Sequence, residues 1–383
     1  MKLCLILLTG MWRAYAYMKS KKFLGFSLLI VMLIIISTMV SMFVFTGEKK
    51  ADKLKVGFIM SGSTDEQGWN GLHYQGIDAA CKELEVELIV KENVKENSGQ
   101  CEIAIRELAE EDIDITILSS YGYAEEVVDV VEEYPDITFY SENFEYYGDN
   151  LNCYFARIYQ ARYLSGIIAG MQSETGIIGY VAAMPNSEVN RGINAFTLGV
   201  QSVNPNARVI VAWSNSWDDA EEEKRLAQAL IDGCDVDVLT YHQNQPNVVE
   251  VAESNNVYSI GYHEMPEGVS EKYLATVEFH WDFTYKELIL DYKKGKSNEV
   301  NSYWFGLDKD AIGLSDISAV VTQDTLSRVE SAKQDIINGM AIFSGVIYDT
   351  EGKIRCNYGE AISDDILMKS MDWYVEGVEF YEE

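Results

Sequence analysis

Short apolar runs alternate along the chain with longer stretches of mixed polarity, and that alternation predicts the elements. Residues 56–60, 86–90, 113–118 and 137–140 have the length and composition of buried strands. Between them, 69–84, 98–110 and 124–134 read as helices. A second series follows, with helices at 159–172, 189–203, 218–231 and 246–255 and strands at 177–181, 209–213, 236–240 and 257–260. Strand–helix alternation implies right-handed βαβ units and parallel sheets, so the chain reads as two doubly wound, Rossmann-like α/β halves. The remaining third adds a strand at 274–277, helices at 281–292 and 323–338, and short strands. These read as returns between the halves. Lobe 1 is then expected at 54–157 and about 278–312, lobe 2 at 158–277 and about 313–383, with hinge crossovers joining them. A cleft between two hinged lobes is the usual place for a small ligand.

In open α/β sheets ligands bind beyond the carboxyl ends of the strands, so the turns there carry the chemistry. The first is Ser61-Gly62-Ser63-Thr64-Asp65, followed by Trp69 and Asn70 at the start of a helix. Hydroxyls, a carboxylate, free backbone N–H groups and an indole beside an amide suit a flat ligand with polar edges, such as a nucleobase. The plainer alternative is that Trp69 plugs the sheet–helix interface. The third strand is followed by Ser119-Ser120-Tyr121-Gly122, where turn chemistry alone also accounts for the sequence. The turn at 182–186 opens a helix holding Asn190, Arg191 and Asn194, with Asn186 as an expected N-cap. Later strand ends carry Trp217, then His242-Gln243-Asn244, then Tyr262-His263-Glu264, then Glu278-Phe279-His280-Trp281. A bare scaffold does not require aromatics and amides at nearly every strand end, and their recurrence favours stacking by Trp69.

Charge narrows the partners. Residues 51–383 hold 23 Lys and Arg against 60 Asp and Glu, a net of −37. Such a surface repels phosphate backbones and anionic lipid, which argues against nucleic-acid binding. Five cysteines lie in this part, Cys81, Cys101, Cys153, Cys234 and Cys356, with no CxxC pair. An odd number cannot close a complete set of internal disulfides, so they read as core residues or free thiols. Ahead of them, residues 23–45 contain no charge and follow Lys19, Lys21 and Lys22. At 1.5 Å per residue that stretch spans a bilayer core of roughly 30 Å. It reads as a transmembrane signal anchor, with 1–22 cytoplasmic, 46–53 a linker and the acidic body outside. The phosphate loop, the dinucleotide glycine fingerprint, the nucleophile elbow and the HExxH zinc signature are all missing. The expectation is therefore no enzyme, no cofactor and no metal.

Several stretches resemble the basic membrane protein family of substrate-binding proteins, which includes purine-nucleoside receptors of ABC transporters. They are Asp65-Glu66-Gln67-Gly68-Trp69-Asn70, the run 191–199 (RGINAFTLG), Asn215-Ser216-Trp217 and the closing run 371–378 (MDWYVEGV). The resemblance covers about 53–383 and is greatest to the branch that binds free purine bases such as adenine. It implies a type I periplasmic-binding fold with three crossovers, a purine base or nucleoside at the hinge, and permease and ATPase partners. It also implies a body held at the cell membrane outside the cytoplasm. Trp69 takes the stacking role, Asp65 and Asn70 the edge contacts, Tyr121 and Gly122 the turn contacts, and Trp281 the second wall. Thr64, Asn190, Trp217, Asn244 and Glu264 complete the expected set. The purine-base branch commonly has Asp at the place of Asn244, and departures from the nucleoside receptors at Tyr262-His263-Glu264 and at Glu278-Phe279-His280 count against ribose recognition as in those receptors. The same fold also serves membrane-anchored sensors that pass ligand state to a signalling partner.

Overall fold

The computed structural model describes residues 53–296 and 302–382. The expected membrane anchor and the segments flanking it, 1–52, lie outside the described residues. Among the described residues no helix is long and apolar enough to cross a membrane.

The first series of elements runs β1 Lys55–Ile59, α1 Trp69–Glu83, β2 Glu87–Lys91, α2 Gln100–Ala109, β3 Ile115–Leu118, α3 Tyr123–Val131, β4 Thr138–Ser141 and β5 Leu151–Ala156. The second runs α4 Tyr159–Gln172, β6 Ile177–Ala182, α5 Ser187–Val203, β7 Arg208–Trp213, α6 Ala220–Cys234, β8 Val238–His242, α7 Asn247–Ser254, β9 Tyr258–Tyr262 and β10 Tyr273–Phe279. Then come α8 Trp281–Lys293, β11 Ser302–Phe305, β12 Ile312–Ser315, α9 Gln323–Ile337, the hairpin β13 Ile347–Tyr348 and β14 Ile354–Cys356, α10 Asp364–Lys369 and β15 Val378–Phe380.

Two sheets result. One has the order β2-β1-β3-β4-β5-β11, all parallel. The other has the order β15-β7-β6-β8-β9-β10-β12, parallel except for β12. Alternate residues of β1 bury on opposite faces of the first sheet. Val56 and Phe58 join the core under α1, while Ile59 joins the core under α2 and α3. The chain passes between the sheets three times, after β5, at His280 and between β11 and β12. β5 is a strand that apolar patterning does not announce. It follows a polar loop and carries Asn152, yet every residue in it is buried. Asn152 Nδ2 donates to the Phe139 carbonyl at 3.4 Å, which satisfies the amide inside the sheet.

Two local features fix the packing. Gly166 and Gly199 let α4 and α5 meet backbone to backbone: a Cβ on either glycine would stand 2.2 or 2.1 Å from a carbonyl oxygen of the other helix. Asn186 caps α5, accepting from Val189 N at 3.0 Å as its sequence position predicts. The closing run is then tied to α5. Asn190 Nδ2 donates to the Met371 carbonyl and Asn194 Nδ2 to the Trp373 carbonyl, while Asn194 Oδ1 accepts from Val375 N. All five cysteines among the described residues are free, four buried and Cys234 partly so.

Candidate functional site

In each sheet the strand order reverses at one point, between β1 and β3 and between β6 and β8. The carboxyl ends at these switch points open onto a cavity of about 240 Å³. That is below the roughly 300–1,000 Å³ usual for drug-sized ligands. The first sheet contributes Ser61 after β1, Trp69 on α1, Lys95 and Glu96 after β2, Ser120 and Tyr121 after β3, and Glu142 after β4. The second contributes Glu188 on α5, Trp217 after β7, His242, Gln243 and Asn244 from β8 onward, and Tyr262 and His263 from β9 onward.

Trp69 is held at its edge. Its indole N–H donates to the Ser119 carbonyl at 3.0 Å. Around it pack His73, with ring centroids 4.2 Å apart, His263 at 5.6 Å and Trp281 at 5.6 Å. The polar edge of the indole is thus used within the protein, and the half-buried ring offers the cavity a π surface. Trp69 thus both packs the sheet–helix interface and lines the cavity.

Behind Trp69 lies a buried polar circuit. Tyr154 donates to Glu142 Oε1 at 3.0 Å, and its hydroxyl lies 3.3 Å from that of Tyr285. The Tyr285 hydroxyl is hydrogen-bonded to His73 Nδ1. His73 Nε2 lies 3.5 Å from Glu142 Oε1, close enough for an ion pair yet without hydrogen-bond geometry. Burial pushes the Glu142 carboxyl well above the ordinary carboxylate range and His73 well below the ordinary imidazole range. Both directions leave the pair uncharged. His242 and His263 are also pushed down by burial. His242 Nε2 lies 3.3 Å from the Tyr262 hydroxyl and 3.4 Å from Glu188 Oε1.

Of the residues singled out from sequence, Trp69, Tyr121, Trp217 and Asn244 line the cavity, as do the strand-end residues Ser61, Ser120, His242, Gln243, Tyr262 and His263. The others stand elsewhere for identifiable reasons. Asn70 braces the first turn, with Oδ1 accepting from Gly62 N and Ser61 Oγ and Nδ2 donating to Glu66. Thr64 N donates to Glu92 Oε1, and Asp65 is exposed. Gly122 N donates to Glu96 Oε1 at 2.7 Å, so it orients a lining carboxylate. Asn190 is committed to the closing run, where its Oδ1 accepts from the Tyr374 hydroxyl. Trp281 is buried one layer behind Trp69 and stacks on Phe279 at 4.5 Å. Glu264 Oε1 accepts from Gly68 N across the cleft at 3.0 Å. Gln245 donates to the Gln67 carboxyl-side backbone oxygen at 2.8 Å, so the two sides meet at the cavity mouth. Sequence reasoning passed over Glu96, Glu142 and Glu188 as lining residues. The strand-end rule applied to β2, β4 and β6 points to all three. Among the described residues no group of three or more His, Cys, Asp or Glu is placed to hold a metal ion.

Residues 53–345 match the family model described as ABC transporter substrate-binding protein PnrA-like. A purine-binding protein of Brucella abortus is 33% identical over 340 residues, covering 86% of this chain and 93% of its own. A protein of Haloferax volcanii, provisionally named as an ABC transporter glucose-binding protein, is 30% identical over 87% of this chain and 82% of its own. Among solved structures, an ABC transporter solute-binding protein from Conexibacter woesei superposes with a TM-score of 0.61 at 20% identity, covering 75% of this chain and 97% of its own. This last likeness shows the shared periplasmic-binding fold.

Proposed function

The chain belongs to the PnrA-like family of ABC transporter substrate-binding proteins, and from that premise we propose that it captures a purine base between its two sheets and delivers it to a membrane permease and its ATPase. The observation that carries this reading is Trp69, an indole locked at its edge by Ser119 and half-buried in the cavity wall. Base–aromatic stacking contributes about 1–3 kcal/mol per base. The polar lining supports the same class. Glu96 and Glu188 face the cavity with Lys95 as the ammonium. Carboxyl groups accept N–H donors, which purine edges supply, and they disfavour phosphorylated or carboxylated ligands. The purine-binding relative from Brucella agrees with this assignment. The uncharged, lysine-flanked stretch at 23–45 supports anchoring at the outer face of the cell membrane. The family is one of binding proteins and not of enzymes, so release after lobe opening, without chemistry, completes the cycle.

Isothermal titration of the purified protein with adenine, hypoxanthine, guanine, adenosine and glucose tests the reading. Binding of a base, weakened about 5- to 150-fold in Trp69→Ala, is expected from the stacking contribution. Glucose is the competing arm, because the Haloferax relative is named for it. Saturation by glucose with no heat from any purine would reassign the ligand and leave the fold untouched.

A further inference from the structure

Glu142 lines the cavity with a side chain only 1% exposed. Its surroundings contain no fixed cation. From β5, Tyr154 donates to Oε1. From α1, His73 approaches to 3.5 Å, itself enclosed by the rings of Trp69 and Trp281 at centroid distances of 4.2 and 3.9 Å. From α8, Tyr285 closes the circuit. Glu96 after β2 and Glu188 on α5 face it as like charges, and Tyr123 on α3 is a neutral phenol whose hydroxyl donates to the Val94 carbonyl. Lys95, at the exposed end of the cavity, is the ammonium among its described lining residues. A buried carboxyl among carboxylates and rings retains its proton, because ionising it would isolate a charge in an apolar site.

The shorter of the Tyr154 hydroxyl's two acceptor contacts, 3.0 Å to Glu142 Oε1 against 3.4 Å to the Leu118 carbonyl, makes Oε1 the accepting oxygen. With Oε1 receiving the phenol O–H, the acid proton belongs on Oε2, which makes that atom a donor. A carboxylate there would be an acceptor only. We propose that Glu142 is the specificity-determining donor of this site, giving a hydrogen bond from Oε2 to a ring nitrogen or oxo group of a neutral base. This rests on the purine reading above and deepens it. The cavity then takes uncharged bases and rejects anionic oxopurines such as urate. Its affinity also depends on one protein proton that the ligand does not supply.

The side-chain amide of glutamine reproduces this arrangement without a titrating proton: its carbonyl accepts from Tyr154 and its NH₂ donates to the ligand. Glu142→Gln and Glu142→Ala in the purified full-length chain therefore separate the roles, with adenine and urate as the probes and titration from pH 6 to pH 10. Glu142→Gln is expected to bind adenine within about threefold of the natural protein at pH 6, and Glu142→Ala at least about tenfold more weakly, since a missing donor leaves polar groups unpaired. The ratio of the natural protein's Kd to that of Glu142→Gln should stay flat while Glu142 keeps its proton and rise where it ionises, because ligand titration is common to both and cancels. Urate should bind the natural protein at least about tenfold more weakly than adenine. A ratio that falls with pH, or Glu142→Gln as weak as Glu142→Ala, overturns the proposal while leaving purine binding intact. Absence of any purine binding in the natural protein removes the reading of the site, and the proposal with it.

Discussion

At the scale of single residues, the groups that titrate divide between the cavity and the hinge. His280 sits on one of the three passages between the sheets. Its Nε2 lies 3.2 Å from Glu278 Oε1 and its Nδ1 2.6 Å from the Asp310 carbonyl, so as an imidazolium it links two passages. The hydrogen bond to Glu278 raises it, burial opposes, and the Asp310 carbonyl adds to the rise, leaving it at about 9. A histidine raised above its unfolded value near 6.5 contributes stability in full below that value, and the contribution is lost as pH rises through about 9. Glu278 is held below the ordinary range by His280 and Ser315 against its own burial, so its share is present above about pH 4.5 and lost on acidification. His280→Ala should therefore destabilise by about 2–3 kcal/mol at pH 6, a figure on the scale of a shift of two pK units or so. At pH 10 the two proteins should unfold at nearly the same denaturant concentration. An equal gap at both pH values would show that His280 acts by packing alone.

At the scale of elements, what decides is where backbone meets backbone. Gly68 precedes α1 with φ at +78°, and a Cβ there would lie 2.0 Å from the Asn244 carbonyl across the cleft. Gly68→Ala should leave the ligand-free protein about 1–3 kcal/mol less stable, the cost of holding alanine at φ +78°, ψ −136°, a region that only glycine adopts readily. It should weaken ligand binding further, because the closed contact cannot form. Calorimetric melting paired with titration separates the two effects. The α5–closing-run junction gives a second expectation. Asn194→Ala leaves the Val375 N–H and the Trp373 carbonyl buried without their partner, at a cost of about 1–3 kcal/mol in urea unfolding. Most elements were legible because an apolar run of buried strand length followed by a helical stretch recurs with little ambiguity. β5 was not, since Asn152 and the preceding polar loop hide a strand whose burial comes from neighbours on both sides. The candidate site was legible to the same depth. Strand ends pointed to Trp69, Tyr121, Trp217 and Asn244. An amide such as Asn70 or Asn190 reads alike whether it braces a turn, ties down the chain terminus or faces a cleft, and only the partners that folding brings to it distinguish these.

At the scale of the whole molecule, closure around a small cavity couples binding to stability. A ligand that binds only the folded state at 100 times its Kd adds about 2.7 kcal/mol. The melting temperature should rise by several degrees with the cognate base, and by much less in Trp69→Ala at the same concentration. The side of the molecule away from the cavity obeys a different constraint. The acidic surface, net −37 over 51–383, keeps the body soluble and away from anionic lipid. A permease that receives it is therefore expected to present basic or neutral docking loops, and complex formation should weaken as salt is raised.

The order of strands in the two sheets also sets an order in time. Five of the six strands of the first sheet come from residues 55–156, so most of that sheet can pair while the second half is still being made, with α8, whose Tyr285 packs on Phe58 and Tyr154, arriving later. The second sheet has no such independence. β12 comes from Ile312–Ser315, and β15, which covers the edge of β7, comes from Val378–Phe380. Until those last residues emerge, β7 keeps an open hydrogen-bonding edge and α5 lacks the run that Asn190 and Asn194 hold. Emergence of the chain in order would therefore pair the first sheet's strands early and leave the second half waiting, with its exposed strand edge the part most in need of a chaperone.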